Sequence, residues 1–427
     1  MMRKQVAGSL ALSILGVLVV ALVLVALGDT GAAQGPDGYS TYYVAPSCSG
    51  MPTPCYTVVQ DAVDDVDDPG DVVQIAQGTY SDVHVRSSYT QAVYLTRTVT
   101  IRGGYAPGFG AWDPDLYPTT LDAQRQGHVF TIFGAGSPVI EGLTITGGDT
   151  DLGGGNYGGG ILAVGNSGPA LTVTLRYNQV ISNYAGTSFG GGGGLGIIFT
   201  NLVMEDNIIQ HNQAAGTGGG MRLEQTNADL TNTIWRDNTS ASSGGAIYAG
   251  NLASVAMTNT VLIDNDASTA GGALVAAAAY VEARHSTVAR NTSGDGSAIY
   301  VTGGFGPGTV LMVNSILASH DVGVYVWPSP PDYTNSATLD YALWDGVGVL
   351  NSGGGSFVAT NTLVGSPGFC SDGYHICPAS DAIDQAVPAG VAFDIDRQPR
   401  PARAGYDLGA DEMYLSVYLP VVVKGAP

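Results

Sequence analysis

The chain has 427 residues, 36 of them Asp or Glu against 15 Lys or Arg, for a formal net charge of −21. That balance leaves no basic stripe to replace the counterions around a phosphate backbone, so a nucleic-acid partner is excluded. Glycine, at 62 residues, is about twice its usual share of roughly 7%, and charged residues, at 12%, are about half of the usual roughly 25%; this argues against a helical bundle, and the absence of a G-x-y period excludes collagen.

At the start of the chain Arg3 and Lys4 precede an uncharged apolar run, Val6 to Leu27, and the small residues Gly31, Ala32 and Ala33 follow. This is the layout of an export signal with cleavage after Ala33. The apolar run also reaches the roughly 20 residues that span a bilayer. Residues 1–33 therefore read as a signal peptide or as an N-terminal membrane anchor, and the body of the chain lies outside in both cases. If the segment is retained, it is the one expected contact with a membrane.

Residues 34–56 read as a linker with a disulfide loop. Cys48 and Cys55 form one C-x6-C pair and Cys370 and Cys377 another, one near each end of the exported chain. Export favours disulfides over free thiols, and the spacings are not those of a zinc site. Four cysteines allow three connectivities, of which the local one, 48–55 with 370–377, staples each terminal loop.

Residues 57–68 place Val59, Ala62, Val63 and Val66 at i, i+3, i+4 and i+7. That spacing predicts a short amphipathic helix, with Asp64, Asp65, Asp67 and Asp68 on a solvated face. Asp71 to Ala76 reads as a strand. A helix ahead of the first strand suits a cap over the open edge of a stack.

From residue 150 a unit of about 26 residues recurs. Its opening mark is Gly-Gly-small-apolar, with the apolar residue at Ile161, Leu195, Met221, Ile247 and Leu274, and a weakened copy, Gly296-Ser297-Ala298-Ile299, closes the series; the spacings are 34, 26, 26, 27 and 25. A second mark is Asn183, Asn212, Asn238, Asn265 and Asn291; a looser third is Asn178, Asn207, Asn232, Asn259, His285 and Asn314. Between marks the residues alternate apolar and polar and are rich in Val, Ile and Thr, a strand pattern. One such unit cannot bury its apolar face alone, so units stack and share a core, with equivalent residues about 4.8 Å apart on neighbouring turns. Stacked asparagines then form an amide ladder, and the paired glycines mark a corner where no Cβ fits. This predicts an all-β solenoid over residues 57–327. Residues 328–412, with Pro328, Pro330 and Pro331, read as late irregular coils and a closing cap, and 413–427 as an apolar terminal strand or attachment tail too short to span a membrane as a helix.

Several segments carry a family resemblance: Gln60 to Gly78, Thr98 to Tyr105, Thr119 to Asp122 and Ile140 to Gly148. Together they resemble the front half of pectin-lyase-like proteins. The Gly-Gly-Ala-Ile and Asn repeats are similar to bacterial polymorphic-outer-membrane-protein repeats. The tail, Ala382-Ile383-Asp384, Asp394 to Arg400 and Asp407 to Glu412, resembles the closing segment of bacterial choice-of-anchor proteins, although the usual Ser-Pro there reads Ser380-Asp381. The resemblance implies a single-stranded right-handed parallel β-helix, exported or displayed at a bacterial cell surface. It implies little about activity.

Chemistry has few candidates. One position before the Asn mark lie His211, Asp237, Asp264 and Arg290. Stacking puts the two carboxylates on adjacent turns, where a Ca²⁺ or a sugar would relieve their repulsion; a solvated column is the plainer alternative. Arg222 with Glu224 and Glu282 with Arg284 are i, i+2 pairs on strands, each sharing a face, as an acid/base pair or a surface ion pair. The acids Asp394, Asp396, Asp407, Asp411 and Glu412 suit either a Ca²⁺ site or bonds to Arg397, Arg400 and Arg403 that tie down the last segment. The six histidines show no zinc-binding motif. Tyr248 and Tyr300, one residue after an inward mark, point outward and offer rings to sugars. These readings favour a non-catalytic adhesive or envelope-structural protein without an organic cofactor, with extracellular polysaccharide or cell-envelope components as partners. A carbohydrate-active lyase, epimerase or hydrolase is the alternative.

Overall fold

The computed structural model describes residues 33–34, 39–166, 170–329 and 331–414. The apolar run of the export signal or anchor, and the tail from residue 415, lie outside the described residues. Among the described residues no helix is long and apolar enough to cross a membrane.

Each turn passes through the same stations. In one turn Leu195–Ile198 lie in a first sheet, Thr200–Glu205 in a second and Ile208–Gln210 in a third, and Gln213–Ala214 add a two-residue strand before the next glycine corner. Neighbouring turns pair in parallel: Ile161 with Leu195, Leu195 with Met221, Met221 with Ile247, Ile247 with Leu274 and Leu274 with Ile299. These are the apolar marks of the sequence, and every one of them is buried. The chain is an all-β right-handed parallel β-helix of about 11 turns.

The corners explain the composition. Phe199, Gln225, Asp206, Asn232, His211 and Asp237 turn the chain with φ between +48° and +55°. A left-handed residue other than glycine costs roughly 1–2 kcal/mol. What offsets it is the residue that follows, which points inward. Asn212, after His211, donates from its side chain to Val180 O at 2.9 Å and to Asn238 Oδ1 at 3.0 Å, and the same Oδ1 accepts the Asn212 backbone N–H at 3.1 Å. The pattern repeats through Asn183, Asn212, Asn238, Asn265 and Asn291. The next turn fills the position with buried His320, whose Nδ1 lies 3.1 Å from Asn291 O. At the glycine corner two constraints act. Gly192, Gly218 and Gly244 have φ of +67° to +72°. A Cβ on Gly193 would sit 2.3 Å from Gln213 O and 2.5 Å from Gly219 O of the next turn.

The looser third mark merges two columns. Asn178 and Asn207 point inward and form a ladder, Asn178 Nδ2 donating to Asn207 Oδ1 at 3.1 Å. Asn232, Asn259, His285 and Asn314 are the left-handed residues of that same corner, with φ of +46° to +53°, and Thr233, Thr260, Ser286 and Ser315 take the inward place after them. Asparagine suits both positions, which is why the two look alike in sequence.

At the front end the helix is Val59–Asp65, with Val59, Gln60, Ala62 and Val63 buried. Gln60 seals an edge: its Oε1 accepts Tyr94 N–H at 2.7 Å and its Nε2 donates to Tyr94 O at 3.3 Å. The acids expected to be merely solvated have partners. Asp64 is bidentate to Arg86 at 2.7 Å, and Asp65 accepts the Tyr56 hydroxyl at 2.6 Å. Parallel pairing starts earlier than the sequence suggests, because Ser40–Val44, inside the stretch read as a linker, pairs with Val72–Ala76. It also runs later: Ser336–Gly353 follows Thr309–Val326 in continuous register, and Ser356–Thr360 and Leu363–Val364 pair with it in turn. These turns lack the Gly-Gly mark, so the repeat is silent in their sequence.

From residue 366 the chain leaves the coil and lies along the outer face of the third sheet. There Val261, Ile263, Ala289, Ile316 and Ala318 point away from the coil core and are buried by Ile376, Ala382, Ile395, Leu408 and Ala410.

Candidate functional site

The register places His211, Asp237, Asp264 and Arg290 in one column, as expected. All four are left-handed corner residues, with φ of +54° to +56°. Arg290 holds Asp264 through two bonds of 2.8 Å, and its remaining nitrogen donates to Gly373 O at 3.0 Å. The column thus anchors the C-terminal segment at one end. Among the described residues, three metal-ligating groups converge at two other places, not here.

The two ion pairs, each expected to share one face of its strand, lie on different sheets. Arg222 and Glu224 are on the first sheet, bonded to each other, with Arg222 Nε 2.8 Å from Glu224 Oε1. Glu282 and Arg284 are bonded to each other on the second sheet. Periodicity gave the side of the strand correctly in each case, but not which sheet the strand joins.

The outer face of the first sheet carries an aromatic strip. Arg222 pairs across with Tyr248, Tyr248 with Val275, Val275 with Tyr300 and Tyr300 with Tyr325. The Tyr300 and Tyr325 rings stack with centroids 5.1 Å apart and planes 10° apart, and Trp327 packs against both at 6.3 and 6.1 Å. Trp327 is 48% exposed. At the other end Arg222 lies between the rings of Tyr157 and Tyr248, 4.9 and 5.4 Å from their centroids. Burial pushes the Tyr300 hydroxyl up to about 12, so it remains a protonated donor at neutral pH. The sequence pointed to Tyr248 and Tyr300. It missed Tyr325 and Trp327, which fall after the last glycine mark.

A cleft of about 360 Å³ opens between the second sheet and the C-terminal segment. Thr231, Thr258 and the Glu205 and Arg284 side chains line one wall, and Ala389 to Phe393 the other. Arg397 crosses one end, bonded to Asp206 and, at 2.8 Å, to Glu205. Its carboxylate partners, Asp206 first, push its pKa above the ordinary value.

The terminal acids serve mostly as structural acceptors. Asp394 accepts backbone N–H groups from Asp396, Gln398 and Glu412, and Asp407 from Asp384 and Met413. Glu412 pairs with Arg400 at 2.8 Å, and both side chains are sealed from solvent. Burial raises Asp407 to about 6 despite its backbone donors. Arg403 makes no such bond: its Nε and one terminal nitrogen are buried without a partner.

Asp396 and Asp411 instead meet His375, a grouping invisible in sequence because the three are scattered. His375 Nδ1 bonds Asp372, and Nε2 lies 2.8 Å from Asp396 Oδ2. Asp396, and then Asp372, raise the imidazole to about 9 against the effect of burial, while burial raises Asp411 to about 6.

Residues 159–336 match the family described as the right handed beta helix region. The chain is also similar to a solved structure titled "Crystal structure of pectate lyase Pel9A", with a TM-score of 0.47 and 12% identity, over 90% of this chain and 98% of that chain. No curated protein matches. The disulfides join Cys48 to Cys55 and Cys370 to Cys377, the local pairing, and are consistent with an extracytoplasmic protein.

Proposed function

We propose that this chain is an exported, surface-associated β-helix that holds an extracellular polysaccharide along the outer face of its first sheet without cleaving it, in an adhesive or envelope-structural role. The observation that carries this reading is the strip Tyr248, Tyr300, Tyr325 and Trp327, continued by Arg222 and Glu224 in the same columns. Turns are spaced about 4.8 Å, so a polymer laid along the axis meets successive rings, hydroxyls and one ion pair. A contiguous aromatic patch that ends in the half-exposed Trp327 is the kind of surface that marks an interaction site. The acid on this face is bonded to a guanidinium, an arrangement that holds its oxygens in place as acceptors for a sugar hydroxyl. The two disulfides, the N-terminal segment and the resemblance to surface-protein repeats support export and display.

A second reading, a carbohydrate-active enzyme, is favoured by the cleft, which brings Glu205, Arg284 and Arg397 to one cavity. One experiment separates the two. The secreted protein is applied to a polysaccharide array with and without calcium, and bound sugar is analysed for products. Retention without new reducing ends, unsaturated ends or epimerised residues is expected. Such products would move the assignment to the second reading, and no retention on any polysaccharide would defeat both.

A further inference from the structure

We infer that His375, Asp396 and Asp411 form a binding site for one divalent transition-metal ion of the zinc type, independent of the polysaccharide face. The three residues come from separate pieces of the C-terminal segment, and their ligand atoms all lie within 4.8 Å of one another. The decisive detail is at His375. Its Nε2 is buried from solvent and 2.8 Å from Asp396 Oδ2, yet it has no hydrogen-bond partner of acceptable direction. The distance is that of a hydrogen bond and the angle is not. A ring nitrogen and a carboxylate oxygen that approach without pointing at each other suit a common cation, which the imidazole would bind in its deprotonated form.

The surroundings are those of a built site. Nδ1 of the same ring bonds Asp372, the carboxylate–histidine arrangement that fixes the tautomer of a metal-binding imidazole. Asp372 is itself oriented by the backbone N–H groups of Tyr374 and His375, at 3.2 and 3.1 Å. Asp411 Oδ2 accepts Ile376 N–H at 2.8 Å. The Cys370–Cys377 disulfide closes the loop that carries His375, and Cys370 N–H donates to His375 O at 2.7 Å inside it. One nitrogen and two carboxylates, with a position left for water, match zinc and its neighbours, whereas Ca²⁺ takes six to eight oxygens. Bound there, the ion would tie the loops at 372–377, 394–398 and 407–412 into one unit.

The test uses the untagged, disulfide-bonded protein after chelator treatment, titrated with Zn²⁺ in a calorimeter and with Co²⁺ in a spectrophotometer. One ion per chain is expected, with a visible Co²⁺ band and little response to Ca²⁺. His375→Ala should abolish binding, and Asp372→Asn should weaken it by about 10–100-fold. Asp396 is exposed and its side chain reaches across to His375, so the near-isosteric Asp396→Asn decides the matter if His375→Ala disturbs folding; it should weaken binding at least tenfold with circular dichroism unchanged. No Zn²⁺ binding by the parent protein, or equal binding by Asp396→Asn, would overturn the site and leave an imidazolium held between carboxylates. Neither outcome bears on polysaccharide retention.

Discussion

The outer faces of the first and third sheets belong to the same coil and meet solvent on different terms. On the third, the outward residues are aliphatic, such as Val261, Ile263 and Ile316, and residues 366–414 cover them. On the first, the outward column runs through Arg222, Tyr248, Val275, Tyr300 and Tyr325, with Trp327 half exposed beside it. On the third sheet the aliphatic surface is hidden by the chain itself. On the first the surface left open is the amphipathic kind, with rings and hydroxyls that tolerate water. The two regions are also held by different forces. The coil relies on repeated neutral amide bonds, one set per turn. The C-terminal segment relies on bonds made once, among them a sealed Arg400–Glu412 pair.

That contrast is broken most severely at Arg400. Arg400→Met leaves Glu412 buried without its cation and takes a donor from the carbonyls of Asp407 and Gly409. Removing one partner of a buried pair costs about 3–5 kcal/mol. The loss should be local: limited proteolysis should cut within 366–414 first while the coil stays resistant. Simultaneous loss of both regions would show that the coil is not self-supporting.

Asn238→Ala sharpens the other side. It removes bonds to Ile209 O and Asn265 Oδ1, and the acceptor of Asn212 N–H. Stranded buried partners cost about 1–3 kcal/mol. Urea unfolding should show this with the C-terminal segment still docked.

The third prediction concerns pH. Burial, helped by Arg400, lowers His285 to about 3, so it stays neutral when folded and takes a proton only on unfolding. Between pH 6.5 and 3 the unfolded chain therefore binds the extra proton, and stability falls as pH falls through that window. Asp407, raised to about 6, acts oppositely, contributing stability below about pH 4 that is lost as pH rises through 6. His285→Asn, which restores the residue found at Asn259 and Asn314, isolates the histidine. Between pH 6.5 and 5 the variant should lose about 2 kcal/mol less than the parent in urea titrations, the value of 1.5 pH units at about 1.36 kcal/mol each. Equal losses would mean that His285 is protonated when folded.

The sequence disclosed most of the coil because its constraints recur. The corner favours glycine twice, once for φ and once for the carbonyl of the next turn, so a pair like Gly192-Gly193 recurs up to Gly271-Gly272, and the last copy, Gly296-Ser297, keeps only the first. The amide ladder likewise writes Asn at a fixed interval. Where a turn satisfies the same geometry differently the signal fades: His320 closes the ladder, and Ser336–Gly353 runs on with no glycine pair. The outer faces were less legible. Alternation says which side of a strand a residue takes, so Tyr248 and Tyr300 were readable as outward. It does not say which strands share a sheet, so Glu282 and Arg284 could not be separated from Arg222 and Glu224. Nor does any local pattern join His375 to Asp396 and Asp411, which meet only because the last segment folds back on itself.

The most direct measurement is the retention of a Tyr325→Ala/Trp327→Ala variant on the polysaccharide that best retains the parent protein, beside the Arg400→Met variant as a control for the covered face. An aromatic anchor at the centre of a binding surface contributes about 2 kcal/mol or more. The account predicts that the aromatic variant loses at least about tenfold in affinity with unchanged urea unfolding, and that the control retains binding. Undiminished retention by the aromatic variant, or loss confined to the control, would place the polysaccharide elsewhere and contradict it.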